Sequence, residues 1–184
     1  MPVEKEKSLP ARPHWRTRDL RLAVRIGAKP AQVYSALTSA RELCRWWLAG
    51  AETDARNAGR LRMVWPKRQG RRDVFGEREG CFVDLEPGSK VSWLWRCNHR
   101  HKLVPSLCTF FILRQKRGCE VLLLHAGFSS RPAADRVYGG FARGWEDALT
   151  KLKLYLETGR TCKNELLAFV DLPALLKPRK QPPV

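Results

Sequence analysis

No stretch of the 184 residues approaches the roughly 18 uninterrupted apolar residues that a membrane-spanning helix needs. The first 18 residues are charged and proline-bearing, without the apolar run of a secretory leader, so the expected location is cytoplasmic. The six cysteines include no CxxC pair and sit mostly inside apolar, strand-like runs, which predicts reduced thiols that pack as small hydrophobes. Catalytic signatures are as scarce. The chain has no nucleophile elbow, no glycine-rich phosphate loop, no HExxH and no close pair of carboxylates, which disfavours an enzyme and calls for no cofactor. Acidic residues are also few, 18 against 35 Lys and Arg. The resulting net charge of +17 is compatible with nucleic acid, with an anionic membrane surface, or simply with solubility.

What is present is organised around Val137 to Thr158. Tyr138, Phe141, Trp145, Ala148, Leu149, Leu152, Tyr155 and Leu156 recur at steps of three and four, which predicts a long amphipathic helix. Arg143, Glu146, Asp147, Lys151, Lys153 and Glu157 take the other positions, and Gly159 stands where a left-handed cap ends a helix.

In chain order, residues 1–18 read as a disordered tail. Leu20, Leu22, Val24 and Ile26 alternate as a strand ending at Gly27. Pro30 opens a short helix, and Ser39 with Glu42 forms a capping box for a second. The period then changes to two. Gly59–Trp65, Gly80–Leu85, Lys90–Arg96, Ser106–Arg114 and Cys119–Phe128 read as an antiparallel meander, with no internal repeat. Strand, two short helices, meander and long helix make an α+β layout. The division expected is 19–160 for the domain, 161–177 for a short extra helical segment lying on the domain or on a partner, and 178–184 for a basic disordered tail.

Several blocks carry a resemblance: PAQVYSALTSARELCRWW, GRLRM, GCFVDLEPGSKVSWLWR, CTFFI, LLLHAGF and GWEDALTKLKLYLETG. In this order, over roughly Leu20 to Arg160, they resemble the activators of the heat-shock-protein-90 ATPase, a family of the START and Bet v 1-like (SRPBCC) superfamily. That resemblance implies a helix-grip fold, a curved antiparallel sheet wrapped around a long C-terminal helix with a cavity between them. It also implies a possible co-chaperone role on a heat-shock chaperone ATPase. Eukaryotic members of the group pair this domain with an amino-terminal domain bearing an Asn- and Trp-rich motif, which this chain does not carry.

Candidate site residues follow. Trp47, Trp65, Trp93, Trp95, Phe111, Leu124, His125, Phe141, Trp145 and Leu149 are the expected lining of a cavity for a hydrophobic or amphipathic, lipid-like small molecule; Leu122, Leu124 and Ala126 share a candidate lining face of the last strand, and alternation alone leaves open which face is concave, because both carry apolar residues. The plain alternative is that these aromatics fill the core. Alternate loops of a meander share one end, so Lys67, Arg68, Arg71, Arg72, Arg100, Lys102 and Arg131 should form a basic rim. Such a rim suits an anionic headgroup, non-specific nucleic acid, or no ligand at all. Cys97, His99 and His101 carry metal-ligand chemistry at a spacing that falls short of a zinc site. The leading expectation is therefore a non-enzymatic small-molecule binder, followed by the co-chaperone and then the polyanion binder.

Overall fold

The computed structural model describes residues 16–67, 76–95 and 107–177. Strand β1 (Thr17–Ile26) is followed by helices α1 (Pro30–Thr38) and α2 (Ala40–Trp46). Six strands come next: β2 (Gly50–Thr53), β3 (Arg60–Val64), β4 (Glu77–Glu86), β5 (Lys90–Trp95), β6 (Leu107–Arg114) and β7 (Cys119–Ser129). Helix α3 (Asp135–Thr158) and the single turn α4 (Leu172–Leu175) close the described chain. All seven strands form one antiparallel sheet in the order β1-β7-β6-β5-β4-β3-β2, so the meander is intact and β1 closes it beside β7. This is the expected α+β helix-grip layout. Strand β2 was not foreseen, because four residues (GAET) are too few to show a period.

Local chemistry sets the helix ends. Pro30 occupies the first turn of α1, where its missing N–H costs nothing. At α2, Ser39 accepts from the Glu42 N–H as expected. The reciprocal half of the capping box is replaced, since the Glu42 carboxylate turns instead to Arg45 at 2.9 Å and to the Tyr155 hydroxyl at 2.7 Å. Helix α3 spans about 36 Å at 1.5 Å per residue. It ends where Gly159 takes φ 70°, and the Gly159 N–H donates to the Tyr155 carbonyl.

The core lies between the concave sheet face and α1, α2 and α3. Register makes that face explicit: Leu20 is level with His125, Leu22 with Leu123 and Val24 with Val121, while Trp93 is level with Cys108 and Phe82. Leu123 in turn pairs with Phe110 and Val121 with Ile112. The inward face of β7 is therefore Val121, Leu123 and His125. The candidate set of Leu122, Leu124 and Ala126 lies one residue out of phase, on the opposite face, because side chains alternate strictly along a strand.

The charged side of α3 departs from a simple solvated stripe. Asp147 and Lys151 are buried and joined at 2.8 Å, covered by residues beyond 160. Lys151 Nζ also donates to the carbonyls of Lys163 and Glu165, and Asp147 Oδ1 accepts from the Leu167 N–H. Lys163 Nζ reaches the Cys44 carbonyl, and Arg160 donates to the Leu175 carbonyl. Residues 161–176 thus form a strap across the back of α3, mostly irregular, with one 3-10 turn (Phe169–Asp171) before α4. Its ordered helix is far shorter than the apolar content of ELLAFVDLPALLK suggests. Pro173 lies in its first turn and bars the helix from extending back through Glu165–Asp171.

Candidate functional site: an aromatic interior between sheet and helix

The space beneath α3 is built from indoles. The end of α2 delivers Trp46 and Trp47, stacked at 5.2 Å, with the Trp46 N–H tied to the Ala36 carbonyl. From the sheet come Trp65, Trp93 and Trp95, which form a chain of rings: Trp47 to Trp65 at 5.5 Å, Trp65 to Trp95 at 6.0 Å and Trp95 to Trp93 at 5.7 Å. Helix α3 closes the ring from above with Trp145, 5.9 Å from Trp47, 6.3 Å from Trp93 and 5.7 Å from Phe110. These spacings match the tilted and edge-on contacts that aromatic quadrupoles favour.

Three polar groups lie inside this shell. His125, fully buried, accepts from the Trp145 indole N–H through Nδ1 at 2.9 Å. That bond makes the imidazole neutral with its proton on Nε2. The ring also meets Phe128 and Phe141 edge-on at 4.6 and 5.0 Å. The Cys108 thiol is pushed well above its ordinary value by burial, opposed in part by the indole N–H groups of Trp95 and Trp93. The third group is the Trp93 indole nitrogen. It is buried and reaches no acceptor at hydrogen-bonding geometry, although the Cys108 thiol lies beside it. A thiol is a weak acceptor, so this N–H keeps most of its capacity to donate.

Of the ten cavity residues expected, Trp47, Trp65, Trp93, Trp95, His125, Phe141, Trp145 and Leu149 belong to this core or pack against it. Phe111 and Leu124 do not. Phe111 pairs with Leu122, and Leu124 with Thr109, on the outer face of the sheet. The inward neighbour is Phe110, which the sequence reading missed together with Trp46, Cys108, Leu123 and Phe128. One signal was available: His125 and Leu124 are adjacent on one strand and cannot share a face. Accepting His125 as inward fixes Leu123 on β7 and, through register, Phe110 on β6.

Two hollows lined by described residues open to the surface. One, of about 460 Å³, lies among Ala31, Gln32, Ser35, Glu42, Tyr155, Leu156 and Gly159; another, of about 220 Å³, is formed where Gly27 to Pro30 approach Arg114 to Gly118. Among the described residues, the shell beneath α3 holds rings in mutual contact. Of the basic rim, Lys67 and Arg131 are exposed, and strand direction puts both at the same end of the sheet. Arg68, Arg71, Arg72, Arg100 and Lys102 fall outside the described residues, as do Cys97, His99 and His101. No cluster of metal-ligating side chains occurs among the described residues, and no helix there is long and apolar enough to cross a membrane.

A curved antiparallel sheet gripping one long helix over an apolar interior defines the helix-grip class. The chain belongs to the family described as activator of Hsp90 ATPase homolog 1-like protein, which matches residues 27–157. A fold of this kind is suited to ligand binding in general. A search of curated proteins gave no match. Among solved structures, protein MLL2253 from Mesorhizobium loti is 23% identical with a TM-score of 0.64, covering 78% of this chain and 99% of that one. The Aha1 dimer from Colwellia psychrerythraea is 20% identical with a TM-score of 0.64, covering 78% and 98%. CalU16 from Micromonospora echinospora is 21% identical with a TM-score of 0.57, covering 78% of each chain. At these identities the likeness concerns the fold.

Proposed function

We propose that the protein is a non-enzymatic binder of a hydrophobic or amphipathic small molecule, held between the sheet and α3 among Trp47, Trp65, Trp93, Trp95 and Trp145. The observation that carries this reading is the buried indole N–H of Trp93, which has only the Cys108 thiol, a weak acceptor, beside it. In a core meant only to be filled, that group would be paired or replaced by an apolar ring; in a binding site it supplies the donor for a ligand's single acceptor. Flat rings or a lipid chain suit the remaining surface, since apart from His125 and the Cys108 thiol the shell is aromatic or aliphatic. The polar groups inside act in support of binding: His125 is occupied in orienting Trp145, and burial holds the Cys108 thiol in its un-ionised, weakly nucleophilic form.

The rings of this shell contact one another, so entry of a ligand requires them to part. Trp65, Trp95 and Phe141 are only half-buried and form the side that yields most readily. Native mass spectrometry of gently purified protein, followed by denaturing extraction, tests the reading; a stoichiometric adduct lost on denaturation is the expected result. In parallel, oleate and 1-anilinonaphthalene-8-sulfonate are titrated against intrinsic tryptophan fluorescence. Replacing Trp93 by Phe keeps the ring and removes the donor, and should weaken a ligand bearing an acceptor by about tenfold. An apo mass together with no saturable response to either probe would overturn the proposal.

A further inference from the structure

The inward face of β1 is apolar from Leu20 to Ile26, and the same alternation carried one step back reaches Arg18. Register puts Arg18 level with Phe128, which is fully buried. A bulge makes that pairing. Ala126 and Gly127 of β7 stand together against Asp19, Gly127 takes φ 88°, and its N–H donates to Asp19 Oδ1 at 3.1 Å. The extra residue returns Phe128 to the inner face, where its ring meets His125 at 4.6 Å. A guanidinium at an inward position is costly unless it is held, and both groups that hold this one belong to α3.

Arg18 Nη2 donates to Asp135 Oδ1, and the guanidinium lies 4.1 Å over the Tyr138 ring. The hold is incomplete. Nη2 and Nε form one edge of the planar fork, the edge that takes two oxygens of a carboxylate, sulfonate or phosphate at once. Asp135 uses only Nη2, while Nε is buried and reaches no acceptor. The Asp135 side chain is 60% exposed, so water replaces the guanidinium there at little cost. Arg16 and Arg136, both exposed, add positive charge at this end of the sheet. From Tyr138 a path of rings leads inward, to Phe128 at 5.3 Å, on to His125, and from His125 to Trp145 at 5.9 Å. Arg18 therefore stands at the edge of the aromatic interior, one ring away from it.

Resting on the interior site proposed above, we propose that its ligand is an anionic amphiphile whose carboxylate, sulfonate or phosphate head is held by Arg18. Parting of the N-terminal turns of α3 from the sheet withdraws Asp135 and Tyr138 together, since both ride on that helix, and frees the whole Nε and Nη2 edge for the head. Asp135 is thus the internal competitor for the donors that the ligand uses. The apolar part of the ligand follows Phe128 and His125 toward Trp145, and the Trp93 N–H is left for a second acceptor further along it.

Two fluorescent probes titrated into the full chain at fixed salt test the assignment: 1-anilinonaphthalene-8-sulfonate, and N-phenyl-1-naphthylamine, which has the same rings without the sulfonate. The quantity read is the ratio of their dissociation constants, in which effects on folding or on ring packing largely cancel. The wild type should favour the sulfonate by about tenfold or more. Arg18→Gln should abolish that preference and leave the neutral probe bound. Asp135→Asn, which removes the competitor, should raise the preference by about threefold. Arg25→Gln makes the same change in net charge on an exposed side chain at the other end of β1 and should leave the ratio as it is. A wild type without preference, a ratio indifferent to Arg18→Gln, or a fall as large with Arg25→Gln would each overturn the role of Arg18, while saturable binding of the neutral probe keeps the interior site. A preference lowered by Asp135→Asn would overturn the exchange of partners. Saturable binding of neither probe would remove the interior site and this assignment with it.

Discussion

The two halves of α3 are one helix in sequence pattern and two different objects in packing. From Asp135 to Gly144 no residue is buried, although Val137, Tyr138, Phe141 and Ala142 all lean on the core. From Trp145 to Leu154 nearly every residue is buried, including Asp147, Thr150 and Lys151. The first half is held by peripheral contacts: the Arg18–Asp135 ion pair, the Arg18 guanidinium 4.1 Å over the Tyr138 ring, and edge contacts of Tyr138 and Phe141 with Phe128 and His125. It also carries Gly139 and Gly140, where an added Cβ would meet open space. No packing demand explains those glycines, and each weakens the helix by up to about 1 kcal/mol relative to alanine. The second half is gripped by the sheet in front and the strap behind. A helix anchored at one end and lightly held over the aromatic interior at the other combines a rigid scaffold with a segment of low local stability.

The sharpest way to break this contrast is to release the strap. Asp147→Ala would leave the Lys151 ammonium buried without its carboxylate and the Leu167 N–H without its acceptor, a loss of about 3–5 kcal/mol in denaturant unfolding. The paired change Asp147→Leu with Lys151→Met should cost markedly less, because no isolated charge remains. Next in size, Leu149→Ala should cost about 3 kcal/mol, whereas Phe141→Ala should cost about half as much despite its larger side chain, since it is only half-buried. Equal costs would show that the two halves share one packing environment.

Glycine substitutions sharpen the comparison by their sign. Gly139→Ala and Gly140→Ala should each stabilise the protein by up to about 1 kcal/mol, while Gly159→Ala, at φ 70°, should destabilise it by about 1 kcal/mol. Thermal unfolding of the three variants settles the point. Within the first pH unit above 9.0, a comparably small effect is expected on pH dependence. The Cys108 thiol lies well above its ordinary 9.0, so the unfolded chain releases a proton that the folded chain keeps. Stability should be fully present below pH 9.0 and fall above it, by at most about 1.4 kcal/mol per pH unit from this group. Cys108→Ala should flatten that limb. Tyr155, raised by its bond to Glu42 and by burial, acts in the same direction at higher pH.

Much of this architecture was legible because it rests on periodicity. The α3 stripe, the αL cap at Gly159, the alternation of Leu20 to Ile26 and the turn-separated strands all follow from local rules, and together they define the helix-grip layout and the tryptophans' place within it. What local rules left open was phase. Strands β6 and β7 are apolar at consecutive positions, so alternation alone could not say whether Phe110 or Phe111, Leu123 or Leu124, points inward. Register with β1 and β5 decided it, because pairing fixes a residue's face through its neighbours rather than through its own chemistry. The same holds for Asp147 and Lys151. Their types and spacing describe a solvated ion pair on a helix, and only the return of residues 161–176 over α3 removed them from water. The sequence determined which side chains would seek burial; the tertiary structure decided which of them share one shell, which charge is sealed beneath the strap, and which apolar residues are left facing outward.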